Sequence, residues 1–345
     1  MTLLVTGATG FVMSVLTRQW LESNARERAV ILDSAGLDET AKDYFAPVAD
    51  RLQVVQGDVT DRDAWQALSG AGDIAYAVHG ATITPIANNG AGGVSLDPEA
   101  ERPGRIIEVN VMGTVAALEW ARTQPRLRRF IYVSSGSVYK SHGPDRPGEP
   151  LPEDGYVMPR QLYAISKFTS ELITERYAEL FGLPIASVRL SSVYGPMDRA
   201  TSTRNFRHVP NEIAHKVVEG VKRVRVNSLD GVGDYIHSED VAHAIISLLK
   251  APSLGYRVYN IAAGTTATVA DLVRWAAEKS PGFHATVVPP GEAEIVQDDT
   301  ERDGMWGAYD LARIYRDTGW KPRPVREAFH AYIDWLAASR RLGGR

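Results

Sequence analysis

The chain has 345 residues, 44% of them hydrophobic and 23% charged, with a formal charge of −4 and no cysteine. That length accommodates one large α/β core with a smaller lobe, since single cores stop growing near about 250–300 residues. A slightly acidic chain lacks the basic surface that phosphate backbones require, and the absence of cysteine removes disulfides, thiolate nucleophiles and cysteine-ligated metals. No apolar run approaches the roughly 18 residues of a membrane span, and no signal-peptide pattern precedes the first strand, so a cytoplasmic location is expected.

Short β-branched runs alternate with helical patterns through the first half. The spacing predicts strands at Leu3–Thr6, Ala29–Asp33, Leu52–Gln56, Ile74–Val78, Phe130–Ser134 and Ile185–Leu190. Between them it predicts helices at Phe11–Ser23, Glu39–Ala49, Asp61–Leu68, Ile106–Thr123 and Gln161–Phe181. This alternation reads as an α/β fold, a Rossmann-type doubly wound parallel sheet with a smaller C-terminal substrate-binding lobe. The stretch from Ala81 to Gly104, with Pro85, Asn88-Asn89-Gly90 and Gly92-Gly93, reads either as a cover for the active site or as a surface insertion.

After about Leu190 the segments become shorter and richer in Gly and Pro. Ser238 reads as the N-cap of a helix at Glu239–Lys250. A strand at Tyr256–Ile261 and helices at Val269–Lys279 and Val325–Ser339 follow. The expected division is a dinucleotide-binding domain over residues 1–190 and a substrate-binding domain over 191–345, with 233–262 packing back onto the first.

Directly after the first strand stands Thr6-Gly7-Ala8-Thr9-Gly10-Phe11-Val12-Met13. Gly7 permits a tight turn, and Gly10 lets the backbone approach a pyrophosphate at the positive end of the following helix. Met13 replaces the third glycine of the usual pattern, so helix and sheet must pack there around a bulky side chain. Asp33 closes the second strand where a carboxylate accepts bonds from both ribose hydroxyls and repels a 2′-phosphate, which favours NAD over NADP. Asp58, past the third strand, stands where it could face an adenine amine, whereas Thr60 or Asp61 beside it can simply cap the next helix.

Tyr163 and Lys167 are four residues apart on one helical face, so an ammonium can lie near a phenol whose ordinary pKa near 10 makes it a poor base. Tyr-x-x-x-Lys arises by chance in many helices. Its context is Phe130-Ile131-Tyr132-Val133-Ser134-Ser135, a strand delivering hydroxyls at its carboxyl end, the edge where open α/β sheets bind ligands. Ser135 can orient and polarise a reacting oxygen there. The conjunction predicts hydride-transfer chemistry.

With these residues the sequence resembles the extended short-chain dehydrogenases/reductases, the NAD-dependent epimerase/dehydratase group. The resemblance runs from TGATGFVM through GDVTD, VNVMGT, FIYVSSGSVY, YAISK and VRLSSVYGP to GDYIHSEDVA, YNIAAG and DTGWKP. It implies catalytic roles for Ser135, Tyr163 and Lys167. Cofactor contacts are implied from Gly7, Gly10, Phe11, Asp33, Asp58, Val59, Asn110, Tyr163 and Lys167. Substrate contacts are expected from Ser135, Ser137, Ser192, Arg207 and Arg302, with no metal. A homodimer through the helices at Ile106–Thr123 and Gln161–Phe181 is likewise implied.

Departures from the family pattern bear on the substrate. Dehydratases place an acidic pair after the catalytic hydroxyl, where this chain has Gly136 and Ser137, which argues against water elimination. Nucleotide-sugar epimerases usually have Asn at Ser192 and near Arg207, and Arg at Gly233, so the usual diphosphate anchor is missing. Arg204, Arg207 and Arg302 border the cleft in the family, and arginine forks suit an acidic substrate such as a sugar acid. The leading reading is an NAD-dependent oxidoreductase acting on a secondary alcohol of a polyhydroxy substrate. A nucleotide-sugar epimerase with recycled NAD is the rival, and a non-catalytic NAD sensor a third reading that has no use for Tyr163 and Lys167.

Overall fold

The computed structural model describes residues 1–70, 73–85, 87–88, 95–96, 98–139, 149–201, 208–296 and 307–343. Seven parallel strands form the central sheet: β1 (Thr2–Thr6), β2 (Arg28–Asp33), β3 (Leu52–Gln56), β4 (Ile74–His79), β5 (Arg129–Ser135), β6 (Ile185–Leu190) and β7 (Val258–Ile261). Their order is β7-β6-β5-β4-β1-β2-β3, so the winding reverses between β1 and β4. Ligands of such sheets bind at that switch point, beyond the carboxyl ends of the strands. The strand expected at Tyr256–Ile261 is β7. It pairs with β6 from Val258 opposite Ser187 and extends the six-stranded pattern by one.

Alternate residues of β1 serve opposite layers, as strand geometry requires. Leu3 and Val5 join one core with Leu16 and Trp20 of helix α1 (Phe11–Ser23), and Leu4 joins the other with Ala117 and Leu118 of helix α2 (Gly113–Arg122). Helix α3 (Leu162–Phe181) ends at Gly182 in the left-handed conformation, a common helix stop. Helix α4 (Ser238–Lys250) packs in the same layer as α1 through Val241, Ile245 and Leu248, so a segment far along the chain completes the first core. Met13 is accommodated by a glycine on the facing segment: a Cβ on Gly80 would stand 2.5 Å from the Met13 side chain.

Several expected boundaries shift for local reasons. His237, not Ser238, caps α4, its ring accepting from the Glu239 amide, and Ser238 is already helical. The helix expected at Glu39–Ala49 is α-helical only over Glu39–Phe45. Pro47 lacks an N–H to continue it, and a 3₁₀ segment follows over Ala46–Arg51. The long helix expected from Ile106 begins at Pro103 and contains a π-turn at Glu108–Met112 before α2. Asp61 caps a short helix over Arg62–Gln66. Within the long irregular stretch, Ala87–Asn88 pairs antiparallel with Ser95–Leu96, and a helical turn follows at Pro98–Glu101.

A second core gathers Ile213 and Val217 of an unanticipated helix, Val209–Val218, with Leu272, Phe329 and Tyr332. Two of its helices are Val269–Lys279, closed by a Thr268–Asp271 capping box, and Val325–Gly343. A parallel strand pair, Arg223–Val226 with His284–Val287, lies beside them. No helix among the described residues is long and apolar enough to cross a membrane.

Candidate active site

The glycine turn after β1 is tied into the sheet by the Gly7 amide, which donates to the Leu32 carbonyl at 3.0 Å. Gly7 has φ +76°, and a Cβ there would stand 2.8 Å from the backbone of Ala81, so conformation and space both require glycine. No side chain caps the N-terminus of α1, which leaves its first-turn amides to an anion. Asp33 is buried at the end of β2. Its carboxylate accepts from the Thr9 amide at 2.9 Å and the Ala35 amide at 3.0 Å, which fixes it beside the turn. An uncapped helix start, a turn whose Gly7 admits no side chain and a held carboxylate together fit a dinucleotide.

The other residues assigned to the cofactor divide. Phe11 and Val59 are buried, Val59 lying where a Cβ on Gly113 would stand 2.7 Å away. Asp58 accepts from Thr60 and pairs with Arg105, so its carboxylate is engaged within the protein. Asn110 sits in the π-turn, fully enclosed. Its amide exchanges bonds with the Ile83 backbone at 2.8 and 3.2 Å and donates to Ser166 at 3.0 Å. Asn110 thereby ties the segment after β4 to the helix that carries Tyr163 and Lys167.

Lys167 is buried, and its Nζ donates to the Val133 carbonyl of β5 at 2.8 Å. It lies 5.7 Å from the Tyr163 ring centre and 5.4 Å from that of Tyr132. Desolvation pushes its pKa down to about 7. Two residues along the same strand, Ser135 accepts from the Ser137 hydroxyl at 3.0 Å and from its amide at 3.2 Å. The strand that presents Ser135 is therefore the strand that holds Lys167. One helical turn beyond Lys167, buried Glu171 pairs with buried Arg189 of β6, whose Nη1 also donates to the Glu153 carbonyl. At the end of β4, beside Thr6 of β1, His79 is enclosed between Thr6 at 2.8 Å and Thr114 at 3.2 Å, and burial lowers its pKa to about 3, so it stays neutral. Neither Glu171–Arg189 nor His79 was signalled by the motifs. A charged residue on each of two buried elements was the available clue.

The two glycine departures are each filled by a tyrosine. A Cβ on Gly136 would overlap the Tyr309 hydroxyl and approach its ring carbons at 2.7 and 2.9 Å. Tyr309 is buried, packs edge-on against Tyr139 at 5.6 Å, and is held by a bridge to Leu151. A Cβ on Gly233 would meet the ring of Tyr235, with one carbon at 2.7 Å. Between them Asp234 accepts from the amides of Ala263, Gly264 and Tyr309 at 2.7, 3.1 and 3.1 Å and from the Ser191 hydroxyl at 3.2 Å. Burial raises Asp234 to about 6 against the pull of those donors. Ser192, next to Ser191, starts the strand Ser192–Tyr194, which pairs with Tyr235–His237. Arg204, Arg207 and Arg302 lie outside the described residues.

A family model described as the NAD dependent epimerase/dehydratase family matches residues 3–262. The chain belongs to this family. NAD is the family's cofactor, which agrees with the turn, helix start and carboxylate above. GDP-6-deoxy-D-mannose reductase of Pseudomonas aeruginosa is 27% identical over 253 residues, 70% of this chain and 78% of the relative. dTDP-glucose 4,6-dehydratase of Streptomyces antibioticus is 28% identical over 347 residues, 99% and 93% of the two chains. Among solved structures, UDP-glucuronic acid 4-epimerase from Bacillus cereus in complex with UDP-glucuronic acid and NAD superposes with a TM-score of 0.73. It is 20% identical and covers 97% of this chain and 99% of its own. These relatives include a reductase, a dehydratase and an epimerase.

Proposed function

We propose that this family member is an NAD-dependent oxidoreductase that moves a hydride at a secondary alcohol of a sugar, sugar acid or similar polyhydroxy substrate, without eliminating water. Bound NAD supplies the hydride acceptor. Ser135 orients the reacting oxygen, and Tyr163 takes the hydroxyl proton or returns it to a ketone. Lys167, depressed to about 7, exchanges its own proton near neutral pH and stabilises the phenolate when charged. The observation that supports a reading without dehydration is the Tyr309 ring over Gly136, where a side chain beyond glycine would overlap its hydroxyl.

The names of the relatives point to nucleotide-linked sugars, which supports a sugar-like substrate. Against a nucleotide, the site offers no arginine at 233, and the Tyr235 ring fills that space. Losing a charge-assisted contact of about 1.5–3 kcal/mol weakens a diphosphate by roughly tenfold to a hundredfold. Arg207 and Arg302 remain the proposed holders of an acidic group. The epimerase reading keeps the same proton and hydride steps but returns the hydride. Exposed Ile107, Met112, Ile165 and Leu172 support the pairing of two copies through the long helices.

A turnover screen tests the reading: NADH absorbance over aldonates, uronates, polyols and free sugars, beside UDP-, GDP- and dTDP-sugars, with products identified by mass and NMR. Stoichiometric NADH from a non-nucleotide substrate is expected. Isomerised nucleotide sugar without NADH hands the case to the epimerase. A product lighter by one water refutes the role given to Tyr309.

A further inference from the structure

Arg199 has no part in the machinery above, yet it reaches the dinucleotide end from beyond the sixth strand. It follows the turn Tyr194-Gly195-Pro196-Met197-Asp198. Its Nη2 donates to both oxygens of Asp38 at 2.9 and 2.7 Å, and its Nε lies 3.3 Å from one of them. The same Nη2 is 3.4 Å from the carbonyl of Thr9, the residue between Gly7 and Gly10 whose amide is held by Asp33. Asp38 is itself fixed as the cap of the helix Glu39–Phe45, accepting from the Ala41 amide at 2.8 Å.

Two further features point to a ligand. The Arg199 Nη1 is buried and has no hydrogen-bond partner among the described residues, although its neighbours are engaged. A buried guanidinium N–H is costly to leave without an acceptor. Met197 is the sole non-glycine residue with positive φ among the described residues, at +67°, and it is buried. The turn is closed by the Asp198 amide on the Gly195 carbonyl at 3.2 Å and the Arg199 amide on the Met197 carbonyl at 2.9 Å. A left-handed, buried methionine is kept only where its surroundings demand that path of the chain, and the path delivers Arg199 to the glycine turn.

We propose that Arg199 is a cofactor-binding residue: anchored on Asp38, it closes over the glycine turn and gives its Nη1 to a phosphate or ribose oxygen of the bound dinucleotide. Its planar fork suits this double duty, one edge on a carboxylate and the other on an anionic ligand. The uncapped start of α1 supplies the amides on the opposite side of the same anion. Because the inference concerns the dinucleotide alone, it stands or falls separately from the substrate.

The test is the release rate of NAD from the loaded protein, followed by exchange with isotopically labelled NAD, with ADP-ribose as competitor. Arg199→Met is expected to speed release tenfold to a hundredfold and weaken ADP-ribose by a similar factor. Arg199→Lys keeps the charge but not the fork, and is expected to fall between. Wild-type release from Arg199→Met overturns the proposal, even if melting falls, since the residue is then only a tie to Asp38. If that variant does not fold, wild-type release from Arg199→Lys overturns it instead.

Discussion

At the dinucleotide end, Gly7, Gly10 and Asp33 all belong to one strand–helix–strand unit, and local geometry brings them together: a turn whose Gly7 admits no side chain and a carboxylate at the next strand's end. Around Gly136 and Gly233 the contacts are made across the whole chain. Tyr309 fills the space over Gly136, and Asp234 gathers Ser191, Ala263, Gly264 and Tyr309. The first end is set mainly by the backbone of a short segment, with Ala81 closing against Gly7. The second is a packed joint, held by residues remote in sequence from Ser135.

The joint is where the largest effect is expected. Asp234→Ala takes the acceptor from the buried Tyr309 amide, from the part-buried Ala263 and Gly264 amides and from the Ser191 hydroxyl, so a loss of roughly 3 kcal/mol should appear in denaturant unfolding. Asp33→Ala, at the local end, should cost less in stability and show instead as weakened NAD binding. Equal stability losses would erase the contrast between the two ends.

Tyr163→Phe is expected to keep fold and NAD binding while lowering turnover by roughly a hundredfold or more, about 2.7 kcal/mol in the barrier. Single-turnover NADH formation measures it, and unchanged turnover removes Tyr163 from the chemistry. Next in size is Gly136→Ala, which overpacks against Tyr309 at about 1–3 kcal/mol. In a Tyr309→Ala background that cost should largely vanish, a coupling within the range of about 0.5–3 kcal/mol seen for touching residues. Additive losses in thermal melts would mean that the two residues do not compete for one space.

The smallest effect is a slope. With Lys167 lowered from an ordinary 10.5 to about 7, the unfolded chain binds more protons than the folded one between those values. Stability contributed by this group therefore rises as pH increases from about 7 towards 10.5, and its full penalty is felt below 7. Urea midpoints of the NAD-free protein should show that rise, and Lys167→Met should flatten it. A parallel pH profile in the variant would place the ammonium in solvent.

Much of the fold was legible because periodicity is local. β3, β6, α1 and the helix Val269–Lys279 have the boundaries that the spacing predicts, and Tyr163 and Lys167 share a helix face as their separation requires. Less was legible where polar residues serve the interior. Glu171 and Arg189 look like surface charges in sequence and form a buried pair, and His237 takes the capping role expected of Ser238 because its ring reaches the Glu239 amide. The Asp58 carboxylate also pairs with Arg105, a contact 47 residues away that the motif did not signal.

The sequence alone determined the doubly wound α/β class, the glycine turn with Asp33, and the placement of Ser135 at a strand end and of Tyr163 and Lys167 on one helix, since each depends on neighbours a few residues away or on strand ends repeated in order. Tertiary structure decided that β7 joins the main sheet, that Gly80 makes room for Met13, and that Tyr309 and Tyr235 occupy the spaces over Gly136 and Gly233. Only folding brings those partners together: a glycine records that space is needed, and the side chain that takes the space lies wherever the chain returns.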